Sequence, residues 1–189
     1  MRIITGSARG LKLLTLAGEA TRPTAERTKE AVFSIIQFDI EGRKVLDLFA
    51  GSGQLALEAL SRGASEAVLC DVSKEAAGII KKNAQKARLS DKCKIHVCEA
   101  GQLLPRLGEE KFDLVFLDPP YALKLLPEVL KALINFGRVK PTSLIICESA
   151  DQGDVFCGDE KLSAMFIVKK SARYGAAFVT ILQPVEVAI

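Results

Sequence analysis

Four consecutive residues, Asp118, Pro119, Pro120 and Tyr121, follow the apolar run FDLVFL at residues 112–117. Each proline fixes its own φ, removes an N–H donor and biases its predecessor away from helix. The result is a stiff, extended tip whose Asp118 carboxylate and backbone carbonyls are acceptors with few donors beside them. Such a surface suits an –NH₂ group on a flat ring, and Tyr121 can stack on the ring that carries it. An exocyclic amine is a poor nucleophile because its lone pair is conjugated into the ring. Accepting hydrogen bonds from both of its N–H groups, with Asp118 and the Pro119 carbonyl as acceptors, favours a pyramidal nitrogen with the lone pair freed. Positioning and electrostatics then carry most of a group transfer to that nitrogen. The proton leaves either to Asp118 or to water. A loop terminator alone would need neither the acid nor the aromatic ring.

A second constellation lies upstream, in VLDLFAGSGQLALEAL at residues 45–60. Gly51 and Gly53 allow a tight turn and close approach of a ligand to the backbone. Asp71 closes the next apolar run, 20 residues after Gly51, where a carboxylate can accept hydrogen bonds from both hydroxyls of a ribose. GSGQLA also satisfies G-x-G-x-x-G/A, the dinucleotide pattern. Asp47 opposes that reading, since it would confront a pyrophosphate across the glycine turn. A carboxylate there suits a cofactor with a cationic, amino-bearing end, and S-adenosylmethionine carries both a sulfonium and an ammonium. Its sulfonium methyl is then the group that an amine held by Asp118 would receive. Glu99 and Ala100 occupy the loop after the third apolar run, where an acid can accept from an adenine amino group or simply face water.

The elements needed to bring these loops together are legible as pattern. Strands are expected at 45–49, 67–71, 94–98, 114–118 and 144–148. Amphipathic helices follow the first, second and fourth, and AGQLLPRLGEE after the third has room for one or two helical turns. A further helix is expected over 24–38. This alternation indicates an α/β domain built on a mainly parallel sheet. AMFIVKKSARYGAAFVTILQ differs, reading as two strands joined near Tyr174-Gly175, an antiparallel hairpin closing the sheet. Residues 1–22 form a Gly-punctuated basic arm with hairpin character, and the remaining 23–189 the catalytic domain.

With 189 residues the chain is sized for one domain, and 49% apolar with 26% charged residues excludes wholesale disorder. The net charge of +3 makes the placement of basic residues matter more than their total. Charges interrupt every apolar run short of a membrane span, and the N-terminus lacks the pattern of a secretory signal. The expected address is the cytoplasm, with no membrane partner. Five cysteines without C-x-x-C spacing and the lone His96 suggest neither a disulfide framework nor a metal site.

DLFAGSG, an acidic end to the second strand and DPPY together resemble the S-adenosylmethionine-dependent amino-methyltransferases. From RIITGSARGLKL and RPTAERTKEAVFSII through GSGQLALEALSRGA to RYG, the chain is similar to the RsmD family over nearly its full length. That family methylates the 2-amino group of a guanine in small-subunit (16S) ribosomal RNA. The resemblance implies a Rossmann-like, seven-stranded class I methyltransferase fold with a small N-terminal β-hairpin that helps hold RNA. It implies that Asp47, Phe49, Ala50, Gly51, Ser52 and Gly53 surround the methionine part of the cofactor and that Asp71 binds its ribose. Glu99 and Ala100 would lie at the adenine, and Asp118 to Tyr121 at the guanine. Arg9, Arg22, Arg27 and Lys29 match basic positions of the N-terminal motifs and are expected at RNA phosphates, with the cofactor carboxylate as an alternative partner for Arg27. The partner implied is 16S rRNA or an assembling small subunit. Where the family often has glycines after GSG this chain has Gln54, Leu55 and Ala56, and it has Glu99 where Asp is common. The DPPY tip alone leaves open an adenine in DNA or RNA, or a protein glutamine amide, as acceptor.

Overall fold

The computed structural model describes residues 1–16 and 23–186; Arg22, one of the four basic residues expected at the RNA, lies outside them. Five strands run parallel: β1 (Lys44–Asp47), β2 (Glu66–Asp71), β3 (Cys93–Val97), β4 (Phe112–Leu117) and β5 (Val139–Ser149). A C-terminal hairpin of β6 (Phe166–Tyr174) and β7 (Ala177–Pro184) joins them antiparallel, through β7, so the sheet order is β3-β2-β1-β4-β5-β7-β6. The helices are α1 (Pro23–Ile35), α2 (Gln54–Ser61), α3 (Lys74–Ala87), α4 (Ala100–Leu103), α5 (Leu126–Asn135) and α6 (Glu160–Ser163). The α/β architecture and the closing hairpin are those expected from the alternating pattern. The short link after β3 is one turn of α-helix, α4, followed by a 3₁₀ turn at Leu104–Leu107.

Two apolar layers sandwich the sheet. Val45, Leu114, Phe116, Ile146 and Val179 face Val32 and Phe33 of α1, Leu57 and Leu60 of α2 and Ile80 of α3. Leu46, Val115, Leu117, Ile145 and Cys147 face Leu103 of α4, Leu130 and Leu133 of α5 and Leu162 of α6. Every residue of β4 is buried, which is why that stretch shows no polar alternation. Burial of each large apolar side chain in such a strand contributes about 1.5–3 kcal/mol. At the opposite end from the candidate loops, Asp113 accepts from the Lys44 backbone N–H at 2.9 Å and from Lys140 Nζ at 2.7 Å, pinning β4 to its neighbours.

The chain runs outward from β1 to β2 and β3, then returns to β4 on the other side of β1. The loops leaving β1 and β4 therefore diverge, opening a crevice at the carboxyl ends of the strands.

The N-terminal segment carries one antiparallel bridge, Arg2 to Lys12, with Gly10 N–H donating to Ile3 O at 2.8 Å. It is packed on α2. Ile4 and Thr5 donate backbone N–H groups to the Glu58 carboxylate at 2.7 and 3.0 Å, and Ser7 N–H donates to Ser61 O at 2.8 Å. Gly6 has φ +87°, and a Cβ there would sit 1.7 Å from Ser61 O; only glycine permits that approach. Ile3 and Leu13 are buried in the domain core.

Candidate active site

The crevice is a cavity of about 870 Å³. Asp47, Phe49, Ala50, Gly51, Ser52, Asp71, Glu99 and Ala100 line it on one side, and Asp118, Pro119, Pro120 and Tyr121 on the other. The glycine turn and the DPPY tip, separated in sequence by three strands and three helices from α2 to β4, thus share one space.

Asp47 closes β1 and is 1% exposed. Among the described residues neither of its carboxylate oxygens has a hydrogen-bond partner. Burial, and next the charge of Asp118, pushes its carboxyl up from 3.8 to about 7; the backbone N–H groups of Ala56 and Phe49 oppose the shift without reaching hydrogen-bond geometry. Gln54 Oε1, also on the cavity wall, is likewise buried without a partner. Two orphaned acceptor groups in one crevice fit a ligand that brings N–H donors and positive charge. The ammonium end of S-adenosylmethionine has that chemistry.

Asp71 is held differently. Its Oδ2 accepts from Gly51 N–H at 2.8 Å and its Oδ1 from Ser73 N–H at 2.9 Å. The carboxylate thereby ties the glycine turn to the start of α3 and keeps a second lone pair on each oxygen for hydroxyl donors. Ser73 in turn caps α3, its hydroxyl accepting from Ala76 N–H. Val72, 68% exposed on the cavity wall, adds an apolar surface beside Asp71 that suits the edge of a flat ring.

Gly53 does not line the cavity. Its φ is +78°, its N–H donates to Ala50 O at 2.6 Å, and a Cβ there would press on Ile80 at 3.2 Å. Its role is the close approach of α2 and α3 over the turn. The side chain behind that turn is Asn83 of α3, fully buried, whose amide donates to Ser52 O and Leu14 O at 2.9 Å. Its carbonyl oxygen accepts from Leu14 N–H at 2.8 Å. Asn83 thus clamps the glycine loop to the N-terminal segment. A polar residue on an otherwise apolar helix face was the sequence signal for it.

At the tip after β4, Pro119 is buried and Pro120 exposed. Tyr121 opens a 3₁₀ turn, Tyr121–Leu123, secured by Leu123 N–H donating to Pro120 O at 3.0 Å. The Tyr121 side chain is 36% exposed. Burial, then the charges of Asp118 and Glu148, pushes its phenol well above the ordinary tyrosine range, so at neutral pH the ring is an uncharged stacking surface.

The basic positions separate. Arg9 and Arg27 are exposed. Lys29 corrects the expectation: it is 1% exposed, its Nζ lies 3.4 Å from Glu58 and donates to Arg2 O. Burial lowers its pKa, opposed by Glu58. Glu58 also accepts from Arg62 Nε at 2.8 Å. Lys29 is an internal strut beneath the N-terminal segment and has no route to a phosphate.

Among the described residues no helix is long and apolar enough to cross a membrane, and no group of three or more His, Cys, Asp or Glu side chains is arranged to hold a metal ion.

The model of the family described as conserved hypothetical protein 95 matches residues 1–183. Over 151 residues the chain is 37% identical to ribosomal RNA small subunit methyltransferase D of Haemophilus influenzae, covering 79% of this chain and 78% of that protein. Over 149 residues it is 34% identical to the protein of the same name from Escherichia coli K12, covering 79% and 74%. The solved structure of yhhF from Escherichia coli superposes with a TM-score of 0.83 at 28% identity, over 98% of both chains. The acceptor-lined crevice thus sits in a chain that belongs to the RsmD family of methyltransferases.

Proposed function

We propose that the protein transfers a methyl group from S-adenosylmethionine to the exocyclic 2-amino group of a guanine in the 16S RNA of the small ribosomal subunit, acting in the cytoplasm on rRNA or an assembling subunit. The observation that carries this reading is the single cavity in which the orphaned Asp47 faces the Asp118–Tyr121 tip. The names of the relatives from Haemophilus influenzae and Escherichia coli support the RNA substrate.

The cofactor, when bound, supplies an electrophilic methyl on a sulfonium. The chain supplies everything else. Asp47 holds the amino end by charge. Asp71, fixed by two backbone N–H groups, receives the ribose hydroxyls, and Phe49, Ala50, Gly51 and Ser52 form the wall between them. Glu99 and Ala100 close the adenine end. On the acceptor side Tyr121 stacks on the guanine, while Asp118 and the Pro119 carbonyl accept from the two N–H groups of its amine. That pairing aims the nitrogen lone pair into the cavity. Transfer would break the sulfonium–methyl bond as the N–C bond forms, leaving a neutral thioether, and the excess proton on nitrogen would pass to Asp118 or to water. Exposed Arg9 and Arg27 are positioned outside the cavity and are proposed phosphate contacts, with Arg22 a further candidate from sequence.

The test is methylation of small subunits from cells lacking this protein, with labelled S-adenosylmethionine and nucleoside mass spectrometry. N2-methylguanosine at one mapped position is expected. Label in N6-methyladenosine, or in a protein glutamine, would overturn the guanine assignment.

A further inference from the structure

A further carboxyl, outside the cavity lining, stands beside Asp118. Glu148 lies one residue before the end of β5, and the parallel register pairs Leu117 with Cys147, so Asp118 and Glu148 are the next residues along their strands. Glu148 pairs with Val179 of β7, whose side chain belongs to the layer beneath α1. Asp47 pairs with Phe116 of that same layer. Side chains alternate along a strand, so Asp47, Asp118 and Glu148 project from one face at one edge of the sheet. Glu148 is half-buried, and among the described residues its carboxyl makes no hydrogen bond or ion pair. Its neighbour Asp47 is 1% exposed, equally without a partner, and lines the cavity.

Resting on the function proposed above, we infer that Glu148 is a specificity-determining residue that accepts the N1–H of the target guanine beside the amine held by Asp118. The amine of guanine is flanked on its Watson–Crick edge by a second donor, N1–H. The amine of adenine is flanked there by an acceptor, N1, and a glutamine amide by its own carbonyl. Two adjacent carboxyls therefore match guanine and set an acceptor against an acceptor for the other candidates. In its ionised form, the one an N1–H donor favours, Glu148 offers acceptors only. Burial, then the charges of Asp118 and Asp47, pushes its carboxyl up to about 8; a donor brought by the substrate relieves that cost.

The experiment compares small subunits reconstituted with guanosine or 2-aminopurine riboside at the position mapped above. 2-Aminopurine keeps the amine but has no N1–H. Wild type is expected to favour guanosine in kcat/KM by about ten- to a hundred-fold, the range of one hydrogen bond to a charged group. Glu148→Met fills similar volume without an acceptor, and should bring that ratio to within about three-fold of unity. Glu148→Gln, which retains an acceptor oxygen, should keep most of it. S-Adenosylmethionine affinity should be preserved in both variants, and neither should lower the melting temperature, since each removes a desolvated acid. A wild-type preference retained by Glu148→Met overturns this assignment alone. Wild-type enzyme that makes no N2-methylguanosine overturns the function beneath it as well.

Discussion

Replacing Asp47 by Asn should stabilise the ligand-free protein while weakening its hold on S-adenosylmethionine, and the stabilisation should grow with pH. In the folded chain the Asp47 carboxyl keeps its proton until about pH 7, against 3.8 for an unburied aspartate. Between those values the folded state binds more protons at this site than the unfolded state, so stability falls as pH rises and is level above pH 7. Each full unit corresponds to about 1.4 kcal/mol, and the site is half deprotonated at pH 7, so from pH 5 to 7 the wild type loses about 2 kcal/mol that Asp47→Asn does not. For a chain of this size that is a melting-temperature difference widening by roughly 4–8 °C. The unmet hydrogen bonds of the new amide resemble those of the protonated acid and do not vary with pH, so they cancel in the comparison. Easing of Glu148, whose carboxyl also feels Asp47, acts in the same direction. Thermal unfolding of both proteins without ligand at pH 5, 6, 7 and 8 measures the effect. A difference that stays constant across that range would refute the description of Asp47 as a desolvated acid awaiting a cation. The binding arm completes the test: wild-type affinity for S-adenosylmethionine should rise through pH 7 as Asp47 loses its proton, and the Asn variant should show a weaker, flat profile.

Asp118→Ala should abolish methyl transfer while S-adenosylmethionine binding, read by calorimetry, stays within a few-fold; equal loss of both would remove Asp118 from the acceptor side. Arg9→Ala should weaken RNA binding and reduce the salt slope by about 0.7–0.9, one phosphate contact. Lys29→Ala should leave that slope unchanged and instead destabilise the fold by about 1–3 kcal/mol, because it removes one buried charged partner from Glu58, which keeps Arg62 and two backbone N–H groups; urea unfolding separates the two outcomes. Gly6→Ala should cost about 1–3 kcal/mol and raise amide exchange in residues 1–13, since the new Cβ meets Ser61 O and the φ is left-handed; unaltered exchange would mean the segment is not seated on α2.

What could be read from the chain divides along a physical line. The strand-and-helix alternation, the glycine turn and the DPPY tip are local patterns, and local patterns set which residues end at which loop. The order of the sheet then does the rest, because a β1 flanked by β2 and β4 must open its crevice between Asp47 and Asp118. Pairwise partners are another matter, since they depend on what lies across the fold. Lys29 sits among basic residues in sequence, yet Glu58 of α2 draws it inside. Gly51 and Gly53 are two residues apart, yet one receives Asp71 and the other Ile80.

Glu148 falls between these cases. It ends the apolar run LIICE just as Asp71 ends AVLCD and Asp118 ends LVFLD, so its presence at the carboxyl edge was visible in the pattern of the strands. Which face it takes was not, because β5 extends five residues before that run and its phase is fixed only by pairing with β4 and β7. Shifting β5 by one residue would turn Glu148 toward α5 and away from Asp118. The antiparallel hairpin prevents that slip by holding β5 along five consecutive pairs, Ile145 to Ser149. The C-terminal strands, which carry no part of the glycine turn or the DPPY tip, thereby set the third carboxyl against the other two.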